Sequence, residues 1–191
     1  MGQALAQAAV DAGHQVTVVS GPVEITYPPH CEVIPVVSTE DMLSTCQRMF
    51  PQCDGLIGVA APCDYRPVKV EEQKIKKTGA EITLRLEQNP DILATLARKK
   101  GNRLVVGFAA ETDKVAENAR KKLRDKDADL IVANDVTAEG AGFDVDTNVV
   151  TLFARDGRDL ALPKLTKREV AHRILDEVVR LAASLKHQSA G

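Results

Sequence analysis

The sequence predicts an α/β fold: a Rossmann-like, three-layer, open and mostly parallel sheet with an appended antiparallel hairpin and a C-terminal helix. Three observations carry that prediction. Short apolar runs bounded by Gly, Pro or polar residues (Gly55–Ala60, Leu104–Ala109, Leu130–Ala133) read as strands buried on both faces. Segments of helical periodicity alternate with them, as parallel crossovers require. The chain leaves these runs through small and charged residues, the composition of functional loops at strand ends in open α/β sheets.

The elements follow in order. Met1–Ala12 reads as a helix with Ala4, Leu5, Ala8, Ala9 and Ala12 on one face, and Gly13 supplies its stop. His14–Ser20 is a β-branched strand ended by Gly21-Pro22, and Cys31–Val37 is a second strand entered through Pro28-Pro29. Ser38 caps a helix from Thr39 to Phe50, which leads into the buried run Gly55–Ala60. Ala61–Lys77, with Pro62, Pro67 and many charges, reads as a loop.

Glu81–Glu87 alternates strictly and predicts a half-exposed strand. Asn89-Pro90-Asp91 supplies an N-cap, a first-turn proline and a first-turn acid for a helix to Lys100. Leu104–Ala109 and Leu130–Ala133 are buried strands flanking a charged helix, Asp113–Lys126, and Asn134–Asp146 is a long polar connection. Asp156-Gly157 joins Asn148–Phe153 to Arg158–Leu162 as a hairpin. The last helix, Lys167–Lys186, carries Val170, Ile174, Val178, Leu181 and Leu185 as a packing stripe.

Composition narrows the function classes. With 191 residues and 44% apolar content, the chain can bury a core without disulfides, and one domain spanning 1–191 is expected. A net charge of −2 gives no field for nucleic acid or anionic lipid, so any anion site must be local. Six aromatic residues and no Trp argue against a platform for stacking single-stranded nucleic acid. Cys31, Cys46, Cys53 and Cys63 lack C-x-x-C spacing and the four histidines are scattered, so no zinc site is expected. With neither a secretory leader nor a long apolar span, free thiols in the cytoplasm are the economical expectation.

Three strand ends could carry chemistry. The loop Gly58–Arg66 lets a ligand approach backbone through Gly58, Val59 and Ala60, and Asp64 could accept hydrogen bonds from a ribose or a base amino group. An Asp64–Arg66 salt bridge that ties down the loop is the equally open alternative. Lys74-Ile75-Lys76-Lys77 focuses three ammonium groups in one turn, either a phosphate clamp or a solvated charge run. Gly107–Thr112 ends a buried strand, where Phe108 could pack on a nucleobase or simply in the core. Lys122 and Lys126, one turn apart, could address a polyphosphate or face water.

Together these features suggest a nucleoside polyphosphate lying across the carboxyl ends of a parallel sheet. An NAD-dependent oxidoreductase shares the fold class. It fits poorly, because no G-x-G-x-x-G is present and the strand ending at Ser20 lacks the acid expected for the ribose of NAD.

Six segments in the same order resemble the phosphopantothenate-cysteine ligase family, the synthetase half of the bacterial bifunctional protein of coenzyme A biosynthesis. They are Val18–Pro22, Asp64-Tyr65-Arg66, Lys74–Lys77, Asn89–Ile92, Gly107–Thr112 and Ala133-Asn134-Asp135, and the resemblance covers essentially the whole chain. It implies activation of the carboxylate of 4'-phosphopantothenate by CTP, with magnesium, to an acyl-cytidylate and pyrophosphate. Attack by the amine of L-cysteine then gives 4'-phosphopantothenoylcysteine and CMP.

By the same resemblance, Gly58, Val59, Ala60 and Asp64 contact the cytidine, while Pro90, Asp91, Ile92, Leu93 and Phe108 line the nucleotide pocket. Lys74, Lys122 and Lys126 hold phosphates, and Lys74 neutralises charge developing in the activation step. The family is dimeric, which points to Asn148–Leu162 as the subunit contact, and a flavin-dependent decarboxylase is the expected partner domain. In that family a strand, a glycine-containing phosphate loop and an Asn before Ser-Ser-Gly-Lys precede the position of Met1, and that Asn promotes amide formation. None of those residues is present. The expectation is an upstream start or a partial form, with a CTP-binding or dimerising module that does not ligate as the alternative function.

Overall fold

The computed structural model describes residues 1–77, 79, 81–135 and 146–188. The long connection expected over Asn134–Asp146 therefore lies mostly outside the described residues, as does Thr78 after the lysine run.

The predicted buried runs and the hairpin form one five-stranded sheet of β10 (Asp159–Ala161), β9 (Val150–Ala154), β7 (Leu130–Asp135), β6 (Leu104–Glu111) and β3 (Gly55–Gly58), in that order, beside a short antiparallel pair, β8 (Thr147–Asn148) and β11 (Leu165–Thr166). β3, β6 and β7 run parallel, whereas β9 is antiparallel to β7 and β10 to β9. The hairpin is thus built into the sheet, with Val150, Leu152, Phe153 and Ala154 buried. Alternation along a strand could not reveal that placement, because it fixes a strand's faces and not its neighbours.

β1 (Val16–Ser20) and β2 (Cys31–Pro35) pair in parallel as a separate sheet. The second strand stops two residues short of the expected Val37. Val36 still donates its N–H to Ser20 O at 2.8 Å, while Val37 is exposed.

Helices cover both faces. α1 (Gly2–Asp11) and α5 (Lys167–Gln188) lie on one side, where Leu5, Ala8, Val170, Ala171 and Ile174 pack with Leu104, Val106, Leu130, Val132 and Leu152. On the other face α2 (Thr39–Met49), α3 (Ile92–Ala97) and α4 (Val115–Asp125) contribute Cys46, Leu96, Ala97 and Ala119 against Val105, Ala109, Ile131 and Phe153. Each fully buried Ile or Val contributes on the order of 1.5–3 kcal/mol. The alternation of Leu104, Val105 and Val106 between the two clusters makes β6 the doubly covered centre of the domain.

Local signals explain most boundaries. Gly13 takes φ +81° after α1, a left-handed stop. Ser38 caps α2 in a full capping box with Asp41: Asp41 N–H donates to Ser38 Oγ at 3.0 Å, and Ser38 N–H donates to Asp41 Oδ2 at 3.1 Å. A short 3₁₀ turn, Phe50–Gln52, follows where the sequence reading ends the helix.

Two expected elements are shorter in the structure. Of the predicted strand Glu81–Glu87 only its last two residues lie in a strand, β5 (Leu86–Gln88), which pairs with Tyr65–Pro67 (β4) inside the expected loop, and the pairing extends one bond further as Val68 N–H donates to Arg85 O at 3.0 Å. The alternation of Glu81–Glu87 describes an exposed arm that pairs only at its base. The helix expected from Asn89 to Lys100 is α3 alone, capped by Asp91, whose side chain accepts from Ala94 N–H at 2.9 Å.

At the end of the sheet where β7 begins, Lys100 donates to Asp129 Oδ1 at 2.6 Å, and Asp129 Oδ2 accepts from Val105 N–H at 2.8 Å. Arg155 joins Asp129 from 3.3 Å and also pairs with Asp127. Centred on the buried Asp129, this network locks the edge opposite the loops.

Candidate functional site at the strand carboxyl ends

The parallel strands bring three predicted regions to one edge. β3 ends at Gly58, directly opposite Gly107 of β6. β6 continues through Phe108–Glu111 and on that stretch pairs only with β7, among the described residues. β6 therefore overhangs β3 by Phe108–Glu111, a step beside Gly58 where Val59–Asp64 leaves the strand.

The two faces of this step differ. On the α3–α4 face, Leu93 lies over both glycines: a Cβ on Gly58 would stand 3.0 Å from Leu93 Cδ1, and one on Gly107 would stand 2.5 Å from Leu93 Cδ2. Leu93 therefore seats the first turn of α3 on the sheet, with Ile92 packed beside it. Glu111 emerges on the same face and receives Lys122 of α4, with Nζ 2.7 Å from Oε1. Asn118 Nδ2 donates to Glu111 Oε2 at 2.9 Å. Lys126 pairs with Asp91.

Burial raises the Asp91 carboxyl, but its bond from Lys126 and the N–H of Ala94 together bring it below the usual aspartate value. On the α1–α5 face, Val59 and Phe108 pack half-buried against the main core. The structure thus brings Leu93, Lys122 and Lys126 to one face of β6 and sets Phe108 on the other.

Asp64 is exposed and forms no ion pair among the described residues. The Asp64–Arg66 bridge weighed from sequence is not formed. Arg66 instead meets Glu87 at 2.9 Å and also pairs with Glu40 of α2. Asn89, read as a helix cap, donates its side-chain amide to Cys63 O at 2.8 Å and accepts from Arg66 at 2.9 Å. Ala60 is exposed and Pro90 partly covered. Lys74 lies in the exposed irregular stretch after β4, and no hydrogen bond or ion pair links it to the other candidates among the described residues.

Asn134 belongs to the Ala133-Asn134-Asp135 segment and carries no role assigned from the sequence. At the end of β7 its Oδ1 is buried without a hydrogen-bond partner among the described residues, and its register partner is Ala110. A buried, unpaired acceptor at a strand's carboxyl end is a polar group suited to a ligand donor. The signal is a polar residue, Asn134, directly following the apolar run Leu130–Ala133. Among the described residues no three His, Cys, Asp or Glu side chains gather to hold a metal, and no helix is long and apolar enough to cross a membrane.

An open, mostly parallel sheet covered on both faces, with its polar and glycine-bearing edge at the carboxyl ends, defines a Rossmann-like α/β domain. The family profile described as the DNA/pantothenate metabolism flavoprotein C-terminal domain matches residues 1–181, and the chain belongs to this family. It is 44% identical over 190 residues to the coenzyme A biosynthesis bifunctional protein CoaBC of Bacillus subtilis, covering 99% of this chain and 47% of that protein. The Escherichia coli K12 CoaBC is 43% identical over 183 residues, covering 94% and 45%.

The chain therefore spans about half the length of the curated relatives it matches. Among solved structures, the C-terminal domain of a CoaBC superposes with TM-score 0.81 at 39% identity, covering 96% of this chain and 82% of that one. A Cab2 variant in complex with phosphopantothenate-cysteine shares the fold, with TM-score 0.78 at 12% identity over 100% of this chain and 79% of that one.

Proposed function

We propose that the chain is a phosphopantothenate-cysteine ligase domain of coenzyme A biosynthesis that uses CTP and acts as a homodimer, beside a flavin-dependent decarboxylase domain or protein. The observation that carries the reading is a family match over nearly the whole chain, joined to a polar strand-end step that holds most of the residues named by resemblance.

In the proposed reaction, a carboxylate oxygen of 4'-phosphopantothenate bonds to the α-phosphorus of CTP. The bond from that phosphorus to the bridging oxygen breaks, and pyrophosphate leaves with the electron pair. The amine of L-cysteine then attacks the acyl carbon, CMP departs, and the amine proton passes to solvent. The backbone of Gly58–Ala60 and the carboxylate of Asp64 would address the cytidine. Phe108 would cover it from the α1–α5 face, and the turn Pro90–Leu93 would close the opposite wall.

Lys122 and Lys126 would hold phosphates. Each is already neutralised by a carboxylate, so a triphosphate would exchange one anionic partner for another. Lys74, exposed on a long flexible side chain, would neutralise charge on the activated phosphate. With no cluster of carboxylates in the described site, magnesium would be held chiefly by the triphosphate and water, and it would screen the phosphate charge.

The test separates binding from ligation. Calorimetry with CTP reads the first, and release of pyrophosphate with mass-spectrometric detection of 4'-phosphopantothenoylcysteine reads the second. Both are expected. Binding without product would assign a CTP-binding module that does not ligate, and absence of binding would overturn the reading.

A further inference from the structure

We infer that Asn89 is a positioning residue: it ties Cys63–Asp64, which follow β3, to Pro90–Leu93 at the head of α3, with Arg66 as its anchor. The tie itself is read from geometry, and its consequence for CTP rests on the ligase reading above.

Three bonds converge on this one side chain and its own amide. Asn89 N–H donates to Asp64 O at 2.7 Å, extending the β4–β5 ladder by one step beyond Tyr65 and Gln88. Its Nδ2 donates to Cys63 O at 2.8 Å, and its Oδ1 accepts from Arg66 Nη1 at 2.9 Å. A guanidinium only donates and a carbonyl oxygen only accepts, so the two partners dictate which way the carboxamide faces. No other side chain of this length supplies both a donor and an acceptor with that spread: aspartate lacks the donor, and alanine lacks both.

Arg66 is itself fixed. Its Nε donates to Glu87 at 2.9 Å, and Nη1 also pairs with Glu40 on α2. The tie is therefore referred to a helix of the packed layer and not only to the exposed arm. Two residues beyond Asn89, Asp91 caps α3 and receives Lys126. Two segments separated by 26 residues of sequence, one carrying Asp64 and the other Asp91, are thus set by a single amide. Neither Asn89 nor Arg66 needs to touch the ligand for this to matter. Preorganised walls bind more tightly because ordering them is not charged to association.

The experiment compares Asn89→Ala, Asn89→Asp and Arg66→Lys with the unaltered chain, after melting curves establish that each is folded. Asn89→Asp keeps an acceptor for Arg66 but sets a charged oxygen against the Cys63 carbonyl in place of the donor, so it breaks the tie to Cys63 even where Asn89→Ala fails to fold. Backbone amide exchange over 61–66 and 89–94 reads the tie. Calorimetric CTP binding, and KM for CTP against kcat, read its use.

The expected result is faster exchange in both segments together, an affinity for CTP about tenfold weaker, and a raised KM with kcat largely kept. Exchange that rises only around residue 89, or unchanged CTP affinity in variants whose unaltered parent binds CTP, overturns the inference. Should the unaltered chain not bind CTP, the ligase reading fails, and the exchange data alone decide the tie.

Discussion

Leu93 lies so closely over Gly107 that a Cβ on the glycine would come within 2.5 Å of Leu93 Cδ2 and 2.9 Å of Ile131 Cδ1. The first turn of α3, with its proposed nucleotide contacts, is thereby keyed to the middle of the sheet. Gly107→Ala is expected to cost about 1–3 kcal/mol through overpacking. Pairing it with Leu93→Ala should recover part of that loss, giving a non-additive cycle in chemical denaturation. Strict additivity would mean the two residues do not share this space.

Lys74→Ala should leave the melting temperature unchanged, because the side chain is exposed and makes no bond among the described residues. It should abolish pyrophosphate release from CTP and 4'-phosphopantothenate. Near-normal release would remove Lys74 from the activation step.

Lys122→Ala should weaken CTP by roughly tenfold and CMP much less, since an ammonium contributes to a triphosphate in proportion to the phosphate charge near it. Equal losses for both nucleotides would point to a structural role through Glu111.

Asp91 gives the molecule an acid limit. Its folded carboxyl titrates below the ordinary aspartate value near 3.9. The stability it contributes is therefore fully present above that value and is lost as pH falls through the lower folded one. Asp91→Asn, which keeps a capping oxygen for Ala94 N–H and loses the ion pair with Lys126, should flatten the stability curve below about pH 4 and cost up to about 1 kcal/mol at neutral pH. An unaltered acid limb, followed by circular dichroism, would exclude Asp91 as its source.

The dimer expected at the hairpin Asn148–Leu162 meets a strand, β9, that is already buried in the sheet, so only the β10 edge remains there. Many of the large exposed apolar side chains lie instead on the arm between β4 and β5, among them Tyr65, Val70, Ile82, Leu84 and Leu86. Leu84→Glu with Leu86→Glu should shift a dimer toward monomer in sedimentation at fixed concentration. Persistence of the dimer would return the contact to the β10 edge.

The sequence made the doubly covered sheet legible because Leu104–Ala109 and Leu130–Ala133 are apolar on both faces, which only a central strand tolerates. Ser38 likewise declares its helix through Asp41 three residues on. Asn89 was not legible. Asn-Pro-Asp offers two caps, and the choice of Asp91 follows from Arg66 and Cys63 claiming the Asn89 side chain, partners 23 and 26 residues away. The Arg66 bridge failed for the same reason: Glu40 and Glu87 are distant in sequence and near in space. Glu81–Glu87 misled because alternation reports a strand's faces without reporting whether a neighbour exists.

The overhang of β6 past Gly58 carries a further consequence, in parity. Odd positions there, Gly107, Ala109 and Glu111, look toward α3 and α4, while even ones, Phe108 and Ala110, look the other way. Deleting one residue between Gly107 and Glu111 would send Glu111 to the opposite face, turning its carboxylate from Lys122 and bringing Thr112 into its place. This strand end therefore tolerates substitution far better than a change of length, and its count of residues is as much a part of the site as their identity.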